Sequence, residues 1–472
     1  MQRPNILLIY TDQQRWDAMG VNGNPDIQTP NMDRLANEGV NFDHYFIQNP
    51  VCMPSRVSFL TGLYPSTLGI THMGVPVPED TVTLPKMLHN SGYRSANIGK
   101  LHFLPHANRD HRKVHPDYGF DQLEISDEPG CYEDAYRAWI RKVAPDQMDH
   151  LSLGLPPQAA LWYKIMNFED PVTHPDYSET SGDRFPKREI MFPGRDDVTH
   201  TAWVADRTIQ YLEDRAQGTD PFLCIAGIYS PHSPWVAPQR FMDLYDAEKL
   251  TLPSFPPEVD EKRTPGHFDE AELRRAHRGY YGMVSEVDYH VGRMLDGLEE
   301  SGLADNTIVV FTSDHGEWLG EHLRYGKGYP GHDVVSRVPL LIRMPGGANG
   351  RRVEHLVEGV DVVPTLLEAC GVPVPPHLQG QSLFSILNGS NEGVRESAMM
   401  EFTGWKMIRT QHFRYVAHGD GREFLYDLNE QWGEYRDVSG SERYEIELAV
   451  HRRLLLQRVI NQEQPLDRVW NY

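Results

Sequence analysis

Residues 49–62 read NPVCMPSRVSFLTG and combine a thiol, a proline and an arginine at close spacing. Pro54 favours the first turn of a helix, because the N–H that proline lacks would have no partner there, and Gly62 favours the end of that helix. We therefore predict a short helix with Cys52 just before its N-terminus, where the helix dipole favours negative charge. Arg56, one turn on, adds a positive charge. Anion binding is the chemistry predicted here; a buried structural thiol is the alternative interpretation of Cys52.

A second set of reactive side chains follows four predicted strands, at residues 6–10, 93–98, 221–228 and 307–311. The first and the last are continuous apolar runs, typical of a strand buried on both faces of a parallel sheet, and residues 221–228 also indicate a buried strand. The polar residues that come directly after them are Asp12, Gln13, Lys100, His102, His232, Asp314 and His315. Taken singly, each of them is typical of a turn or a helix cap. In open α/β sheets, however, ligands bind outside the carboxyl ends of the strands, so we expect all of them to meet the Cys52 helix in one crevice.

The residues after the first and the last of these strands predict a metal site. Together they offer two carboxylates, an amide oxygen and an imidazole, from Asp12, Gln13, Asp314 and His315. An oxygen-rich set suits a hard divalent cation, so we expect Ca²⁺, with Mn²⁺ or Mg²⁺ as alternatives, rather than zinc. Gln13 could instead cap backbone groups, and His315 could be a neutral hydrogen-bonding residue, so that either would lie outside the ligand set.

The elements between these residues predict an α/β fold, with a large, mostly parallel sheet flanked by helices. Helices are predicted at residues 30–37, 83–90, 199–214, 280–300 and 361–370, with weaker helical patterns at 132–142 and 157–166. A further strand is predicted at residues 338–344.

Two domains are predicted: a catalytic α/β domain at residues 1–380 and a smaller C-terminal α+β subdomain at residues 381–472. In the subdomain, alternating runs at 405–410 and 413–417 predict an antiparallel sheet, and residues 444–462 predict a final helix. Within the catalytic domain, residues 105–197 are rich in proline, aspartate, histidine and aromatic residues. Long irregular segments of enzymes are typically binding loops or lids, so we expect this insertion to select the substrate.

Composition argues against several classes of partner. The 472-residue chain carries 67 acidic and 45 basic side chains, for a net charge of −22, which argues against nucleic acid or an anionic membrane surface. A small anionic substrate is still allowed, because charges are screened over about 8 Å at physiological salt and a local cationic pocket controls its own ligand.

Cysteine content and hydropathy predict the compartment. Four cysteines are too sparse for a disulfide framework; they are Cys52, Cys131, Cys224 and Cys370. The N-terminal apolar run at residues 6–10 is too short for the core of a signal peptide, and no stretch approaches the length of a membrane span. We expect a cytoplasmic protein.

The motif around Cys52 resembles a family signature. Cys-x-Pro-Ser-Arg followed by Leu-Thr-Gly is similar to the signature of the type I sulfatases, in the alkaline phosphatase superfamily. In that family an enzyme oxidises the cysteine of Cys-x-Pro-x-Arg to formylglycine (3-oxoalanine), whose hydrated aldehyde is the nucleophile. The blocks that resemble sulfatases cover most of the chain and are residues 5–14, 52–62, 83–102, 231–235, 305–316, 325–327, 361–371 and 424–428.

The resemblance implies an alkaline phosphatase-like fold, metal-dependent hydrolysis of a sulfate monoester, and a formylglycine-generating enzyme as maturation partner. By that likeness the metal ion is held by Asp12, Gln13, Asp314, His315 and the formylglycine derived from Cys52. The side chains that surround the sulfate and its leaving oxygen would be Arg56, Lys100, His102, His232 and Lys327. His232 or Lys327 would protonate the leaving alcohol, and His102 would deprotonate the second hydroxyl of residue 52.

Some positions depart from the family pattern. Many sulfatases carry Asp where Gln13 stands and Asn where His315 stands, and this choice resembles the branch of choline sulfatases and phosphonate monoester hydrolases. A frequent Asn-Gly is replaced by residues 72–74, His-Met-Gly, which puts one polar contact to the sulfate in doubt. Lys327 could be a solvated loop charge, although its glycine-rich setting argues against that interpretation.

Two rival functions stay open. One is a phosphonate monoester or phosphodiester hydrolase on the same scaffold, and the other is a non-catalytic anion-binding protein in which Cys52 is never converted. As partners we expect a small-molecule or carbohydrate sulfate ester, no nucleic acid and no membrane, and we allow for a homo-oligomer.

Overall fold

The computed structural model describes residues 3–105, 114–152 and 187–463. Its strands, numbered β1 to β14 in chain order, are Asn5–Thr11, Val40–Phe46, Arg94–Gly99, Gln122–Ile125, Ile190–Met191, Phe222–Gly227, Val236–Ala237, Thr307–Ser313, Leu340–Arg343, Arg351–Glu358, Ala398–Phe402, Trp405–Arg409, Phe413–His418 and Glu423–Asp427. Its α-helices, numbered α1 to α13, are Pro30–Glu38, Cys52–Thr61, Pro65–Leu68, Leu84–His89, Ala135–Val143, His200–Ala216, Gln239–Met242, Pro257–Asp260, Glu270–Glu300, Asp333–Ser336, Val362–Ala369, Phe384–Leu387 and Glu445–Ile460.

An eight-stranded sheet forms the centre of the molecule, in the order β10-β2-β9-β8-β1-β6-β3-β4. Neighbouring strands are parallel, except that β9 runs antiparallel to both β2 and β8. The four strands that the sequence predicts to end in reactive residues are β1, β3, β6 and β8, and they lie side by side as β8-β1-β6-β3. The prediction of a large, mostly parallel sheet is confirmed.

Strand β1 shows why a central strand of this sheet is apolar at successive positions. Leu7 and Ile9 face one hydrophobic core, whereas Ile6, Leu8 and Tyr10 face another on the opposite side of the sheet. Helices α1, α6 and α9 cover the first face, and α2, α4 and α11 cover the second. A central parallel strand must be apolar on both faces, because helices exclude water from both.

The predicted helices are present with shifted ends. Helix α9 begins at Glu270 rather than at residue 280, because the Asp269 side chain caps it by accepting the Glu272 N–H. Helix α2 begins at Cys52 itself, so Cys52 is the first helical residue and not the one before the helix. The weak helical pattern at 132–142 corresponds to α5, and the one at 157–166 lies outside the described residues.

Three strands of the large sheet have no counterpart in the sequence prediction: β2, β4 and β10. Strand β2 alternates apolar residues with Asn41 and Asp43, and both polar residues are buried. Their partners come from distant segments, because Asn22 Oδ1 accepts from Asn41 Nδ2 (2.8 Å) and Arg352 Nε donates to Asp43 Oδ2 (2.5 Å). Strand β4, at Gln122–Ile125, lies within the segment that the sequence predicts to be irregular.

The C-terminal segment forms a separate antiparallel sheet in the order β11-β12-β13-β14, followed by α13. This confirms the predicted smaller sheet. Met400, Met407 and Val416 of this sheet belong to the same hydrophobic core as Ile6 and Leu8, so the two sheets pack together. The domain boundary at residue 380 stays a prediction.

Candidate active site

The site begins where neighbouring strands end at the same level. Strand β1 pairs Thr11 with Ser313 of β8, so Asp12 and Asp314 leave the sheet side by side. Close backbone packing holds this edge together, because a Cβ on Gly227 would lie 2.2 Å from the Lys100 carbonyl oxygen. The structure thus brings together the ends of β1, β3, β6 and β8.

Four buried side chains form a group of potential metal ligands. One ligand atom from each lies within 4.8 Å of the ligand atoms of the other three, and the residues are Asp12, Cys52, Asp314 and His315. His315 Nε2 lies 3.2 Å from Cys52 Sγ, 3.4 Å from Asp12 Oδ1 and 3.6 Å from Asp314 Oδ1. The other ring nitrogen, Nδ1, lies 2.9 Å from the Gly316 carbonyl oxygen, to which it donates. That hydrogen bond fixes the tautomer in which Nε2 offers a lone pair to the group.

Gln13 adjoins this group through its backbone and its amide. Its backbone has φ of 69°, and its N–H donates to Asp314 Oδ1 at 3.1 Å. The side-chain Nε2 donates to Glu317, while Oε1 is buried and has no hydrogen-bond donor among the described residues. Two carboxylates, an imidazole nitrogen and an unsatisfied amide oxygen fit a hard divalent cation.

Arg56 and Lys100 supply positive charge to the carboxylates. Arg56 Nε donates to Asp314 Oδ2 at 2.7 Å, and its other nitrogens donate to the carbonyl oxygens of Thr11 and Lys100. Lys100 Nζ lies 2.6 Å from Asp12 Oδ2. Burial by itself would raise the pKa of Asp12, but Lys100 and the other nearby cationic groups hold that pKa well below its usual range.

Lys327 contacts both Cys52 and His232. Lys327 Nζ lies 2.6 Å from Cys52 Sγ and 3.0 Å from His232 Nε2. His232 Nδ1 donates to the Ser233 carbonyl oxygen at 2.6 Å, which leaves Nε2 to accept from the lysine. Burial and the neighbouring lysine hold the pKa of His232 well below its usual range, so His232 is neutral and Lys327 carries the charge.

The Cys52 thiol is enclosed by these groups. Its side chain is buried, and burial together with the Asp12 carboxylate raises the pKa of the thiol to about 11. A thiol with that pKa stays protonated at neutral pH and is a weak nucleophile.

His102 follows Lys100 on the loop after β3, with a buried side chain and φ of 58°. Asp127 Oδ1 holds the loop by accepting the N–H groups of Leu101 (3.0 Å) and His102 (2.8 Å). The catalytic role of His102 stays a prediction.

Two buried residues with positioning contacts were missed from the sequence: Asp127 and Glu317. Glu317 follows Asp314-His315-Gly316 directly, and a carboxylate in that position could have been noticed. Asp127 lies after β4, a strand that the hydrophobic pattern does not reveal.

A second group that could hold a metal ion consists of His322, His332 and Glu434. Arg414 Nη1 donates to Glu434 Oε2 at 2.6 Å and lies 2.9 Å from His332 Nδ1, which is itself 2.5 Å from Glu434 Oε2. Because this buried guanidinium already pairs with the carboxylate and would repel a metal ion, we interpret the group as an ion-pair network. It links the C-terminal sheet to the segment after β8.

The fold and the site define a hydrolase of the alkaline phosphatase-like class, with ionisable side chains gathered at the carboxyl edge of a mostly parallel sheet. The sulfatase family model matches residues 4–372, and a model described as N-sulphoglucosamine sulphohydrolase, C-terminal, matches residues 320–460. The chain belongs to the sulfatase family.

Similar proteins span nearly the whole chain. An arylsulfatase of Clostridium perfringens is 29% identical, over 98% of this chain and 95% of that protein. A multifunctional alkaline phosphatase superfamily protein of Trinickia caryophylli is 30% identical, over 94% of this chain and 93% of that one. The solved structure of a phosphonate monoester hydrolase of Agrobacterium radiobacter has a TM-score of 0.80 and 25% identity, covering 98% of this chain and 96% of that one. The predicted family, fold and enzyme class, a sulfuric ester hydrolase, are confirmed.

One finding bears on membranes. Among residues 3–105, 114–152 and 187–463, no helix combines the length and apolar character needed to cross a bilayer.

Proposed function

We propose that this protein hydrolyses a sulfate monoester, R–O–SO₃⁻, to an alcohol and sulfate, with formylglycine derived from Cys52 as nucleophile. The observation that carries the proposal is the position of Cys52. Its sulfur lies within 4.8 Å of ligand atoms of Asp12, Asp314 and His315, and 2.6 Å from Lys327 Nζ. A nucleophile at this place has groups for its activation and for the leaving oxygen within reach.

One divalent cation is part of the proposal, held by Asp12, Gln13, Asp314 and His315 together with residue 52. We propose Ca²⁺, with Mn²⁺ or Mg²⁺ as alternatives, because the donor set is oxygen-rich. When bound, such a cation supplies a Lewis acid that stabilises negative charge on oxygen.

The first step is attack on sulfur. Formylglycine hydrate carries two hydroxyl groups on the carbon that carries Sγ here. One of them passes its proton to solvent water, and the resulting alkoxide oxygen bonds to sulfur as the S–O bond to the alcohol breaks. Lys327 and Lys100 place positive charge around the transferring oxygens, and Arg56 holds Asp314 in position. Such preorganised charge stabilises the transition state because it needs no reorientation during the reaction.

The leaving alcohol takes its proton from Lys327. This assignment follows from the Lys327–His232 pair, in which the lysine is charged and the histidine accepts its hydrogen bond. Positioned proton donors typically contribute about 10²–10⁴-fold in rate.

The second step releases sulfate. The remaining hydroxyl of residue 52 gives its proton to His102, the C–O bond to the sulfate breaks, and the aldehyde is restored. Water then hydrates the aldehyde, His102 loses its proton and Lys327 regains one. The sum of both steps is R–O–SO₃⁻ plus water giving the alcohol, SO₄²⁻ and one proton.

The mass of the peptide that contains Cys52 tests the mechanism. In active protein made with a formylglycine-generating enzyme present, we expect that peptide to be lighter by about 18 Da than the free thiol form. An unmodified Cys52 peptide in protein that turns over a sulfate ester would refute the aldehyde mechanism. Unmodified protein that binds sulfate without turnover would instead indicate an anion-binding protein.

Hydrolysis of a phosphonate monoester or phosphodiester is the second candidate, favoured by the structural likeness to the phosphonate monoester hydrolase and by Gln13 and His315. Charge does not separate the substrates, because each carries one negative charge at neutral pH. Lys100 and His102 favour sulfate, since they resemble the sulfatase Gly-Lys-x-His block. We expect kcat/KM for an aryl sulfate to exceed that for the matching phosphonate monoester at least about tenfold, or roughly 1.4 kcal/mol. A reversed ratio in one aldehyde-confirmed preparation would select the phosphonate reaction.

A further inference from the structure

Glu317 is a fully buried carboxylate that touches no reacting atom but contacts two parts of the site. It follows β8 and is 0% exposed. Its Oε2 accepts a hydrogen bond from Gln13 Nε2. Its Oε1 accepts from the backbone N–H of Leu319 at 3.0 Å and from the backbone N–H of Gly326, the residue before Lys327.

The contact between Glu317 and Gln13 determines the orientation of the Gln13 side-chain amide. A carboxylate accepts hydrogen bonds and donates none, so it pairs only with the NH₂ end of Gln13. The amide oxygen must then point away from Glu317, and Oε1 of Gln13 is buried with no donor among the described residues. The backbone is fixed as well, because the Gln13 N–H donates to Asp314 Oδ1 at 3.1 Å.

We infer that Glu317 is a positioning residue that orients the Gln13 amide, so that its oxygen and not its nitrogen is presented to a divalent cation. The inference rests on the proposed function, which places a cation between Asp12, Gln13, Asp314 and His315. An amide nitrogen turned toward a cation offers no lone pair and brings positive partial charge, so the orientation decides whether Gln13 can be a ligand at all.

Glu317→Gln tests this by changing one oxygen to nitrogen. The N–H groups of Leu319 and Gly326 both donate to the same oxygen, so the new side chain keeps its only oxygen there and turns its NH₂ toward Gln13. Gln13 must then rotate its amide to accept, which moves its own NH₂ into the cation site. We expect about 10–100-fold weaker binding of Ca²⁺ and of Mn²⁺, measured by competition with a chromophoric chelator and by metal content per chain.

A double variant that exchanges residues 13 and 317 distinguishes a change in amide orientation from a general loss of structure. In the double variant Gln13→Glu with Glu317→Gln, the residue 13 carboxylate accepts from the residue 317 amide with one oxygen and keeps the other for the cation. We expect cation affinity to return close to that of the wild-type protein. If the substitution at residue 317 only destabilised the loop, a change at residue 13 would not restore cation affinity. If the single variant does not fold, the double variant decides by itself, since a folded, cation-binding double variant supports the inference and an unfolded or cation-free one refutes it.

Glu321→Gln is the matched control. Glu321 lies on the same loop and accepts from Arg15 Nη2 at 2.6 Å, away from the Gln13 amide, so we expect cation affinity to be unchanged. Wild-type affinity in Glu317→Gln, or a double variant as weak as the single one, would overturn the inference while the proposed function stands. Wild-type protein that binds no divalent cation would refute the proposed site itself.

Discussion

The two carboxylate oxygens of Asp314 have different partners. Oδ1 accepts the Gln13 N–H and faces His315, while Oδ2 accepts from Arg56 Nε at 2.7 Å. An asparagine at this position keeps one acceptor but loses the negative charge, and the NH₂ group would face either the cation or the arginine. The charge and both acceptors are therefore needed at this single residue.

We predict that Asp314→Asn abolishes turnover of an aryl sulfate and lowers the divalent metal content, because a charged ligand is lost. Metal content is measured by elemental analysis of dialysed protein. The matched control is Asp288→Asn, a buried aspartate that accepts N–H groups at the start of α1 and should keep its metal. Unchanged metal stoichiometry with full activity in Asp314→Asn would contradict the proposed site.

At the scale of secondary-structure elements, the Arg56 side chain connects helix α2 to the large sheet. Arg56 donates to Asp314 after β8, to the Thr11 carbonyl oxygen at the end of β1, and to the Lys100 carbonyl oxygen after β3. The side chain is 1% exposed. A single guanidinium thus connects the helix that carries residue 52 to three strand ends.

We predict that Arg56→Ala lowers the free energy of unfolding by about 3–5 kcal/mol, the usual cost of removing one member of a buried charged pair. Unfolding in denaturant is measured on protein with unconverted Cys52, so that maturation does not matter. Once the aldehyde is confirmed in this variant, kcat should also fall about 10²–10³-fold, because preorganised charge is lost. A converted Arg56→Ala protein with wild-type turnover would defeat the catalytic assignment.

Arg34→Ala is the control for charge alone. Arg34 pairs with Glu38, Asp296 and Glu299, but these side chains are 37–59% exposed. Surface pairs contribute little, so a loss of less than about 1 kcal/mol is expected. An equal decrease in the free energy of unfolding for Arg56→Ala and Arg34→Ala would show that the contribution of Arg56 does not depend on its burial.

At the scale of the whole molecule, a buried ion-pair network joins the C-terminal sheet to the segment after β8. Arg414 on β13 is 0% exposed, donates to Asp333 at 2.6 Å and to Glu434, and contacts His332. Asp333 also accepts from Arg409 of β12 at 3.0 Å. Residues far apart in sequence therefore depend on one another for charge balance.

We predict that Arg414→Met lowers the free energy of unfolding toward the lower end of about 3–5 kcal/mol, because Asp333 keeps Arg409 while Glu434 loses its guanidinium. Arg422→Met, in the connection between β13 and β14, removes an exposed pair with Asp420 and should leave the melting temperature unchanged. Calorimetry of both variants checks the prediction. Equal melting temperatures for Arg414→Met and wild type would show that the network does not stabilise the joined sheets.

The sequence alone determined the four central strands and the residues at their ends. Strands buried on both faces are visible locally as the apolar runs at residues 6–10, 221–228 and 307–311, and parallel strands place their carboxyl ends at one edge of the sheet. The convergence of Asp12 and Asp314 therefore needed only the strand pattern. Strands β2 and β10 were not visible, because their polar residues, such as Asn41 and Asp43, are satisfied by partners far away in the chain.

Only the tertiary structure decided how the side chains are oriented. Three examples are the contact of Lys327 with Cys52, the hydrogen bond from His315 Nδ1 to the Gly316 carbonyl oxygen, and the contact of Glu317 with the NH₂ end of Gln13. No local sequence pattern predicts them, because they depend on side-chain rotamers or on contacts between separate segments. Hydrophobic periodicity reports which face of an element is buried, because burial follows from residue type along one strand or helix. Hydrogen-bond geometry, in contrast, depends on which distant groups the packed fold brings within about 3 Å of one another. It is therefore determined only when the sheet, α2 and the loop after β8 have packed together.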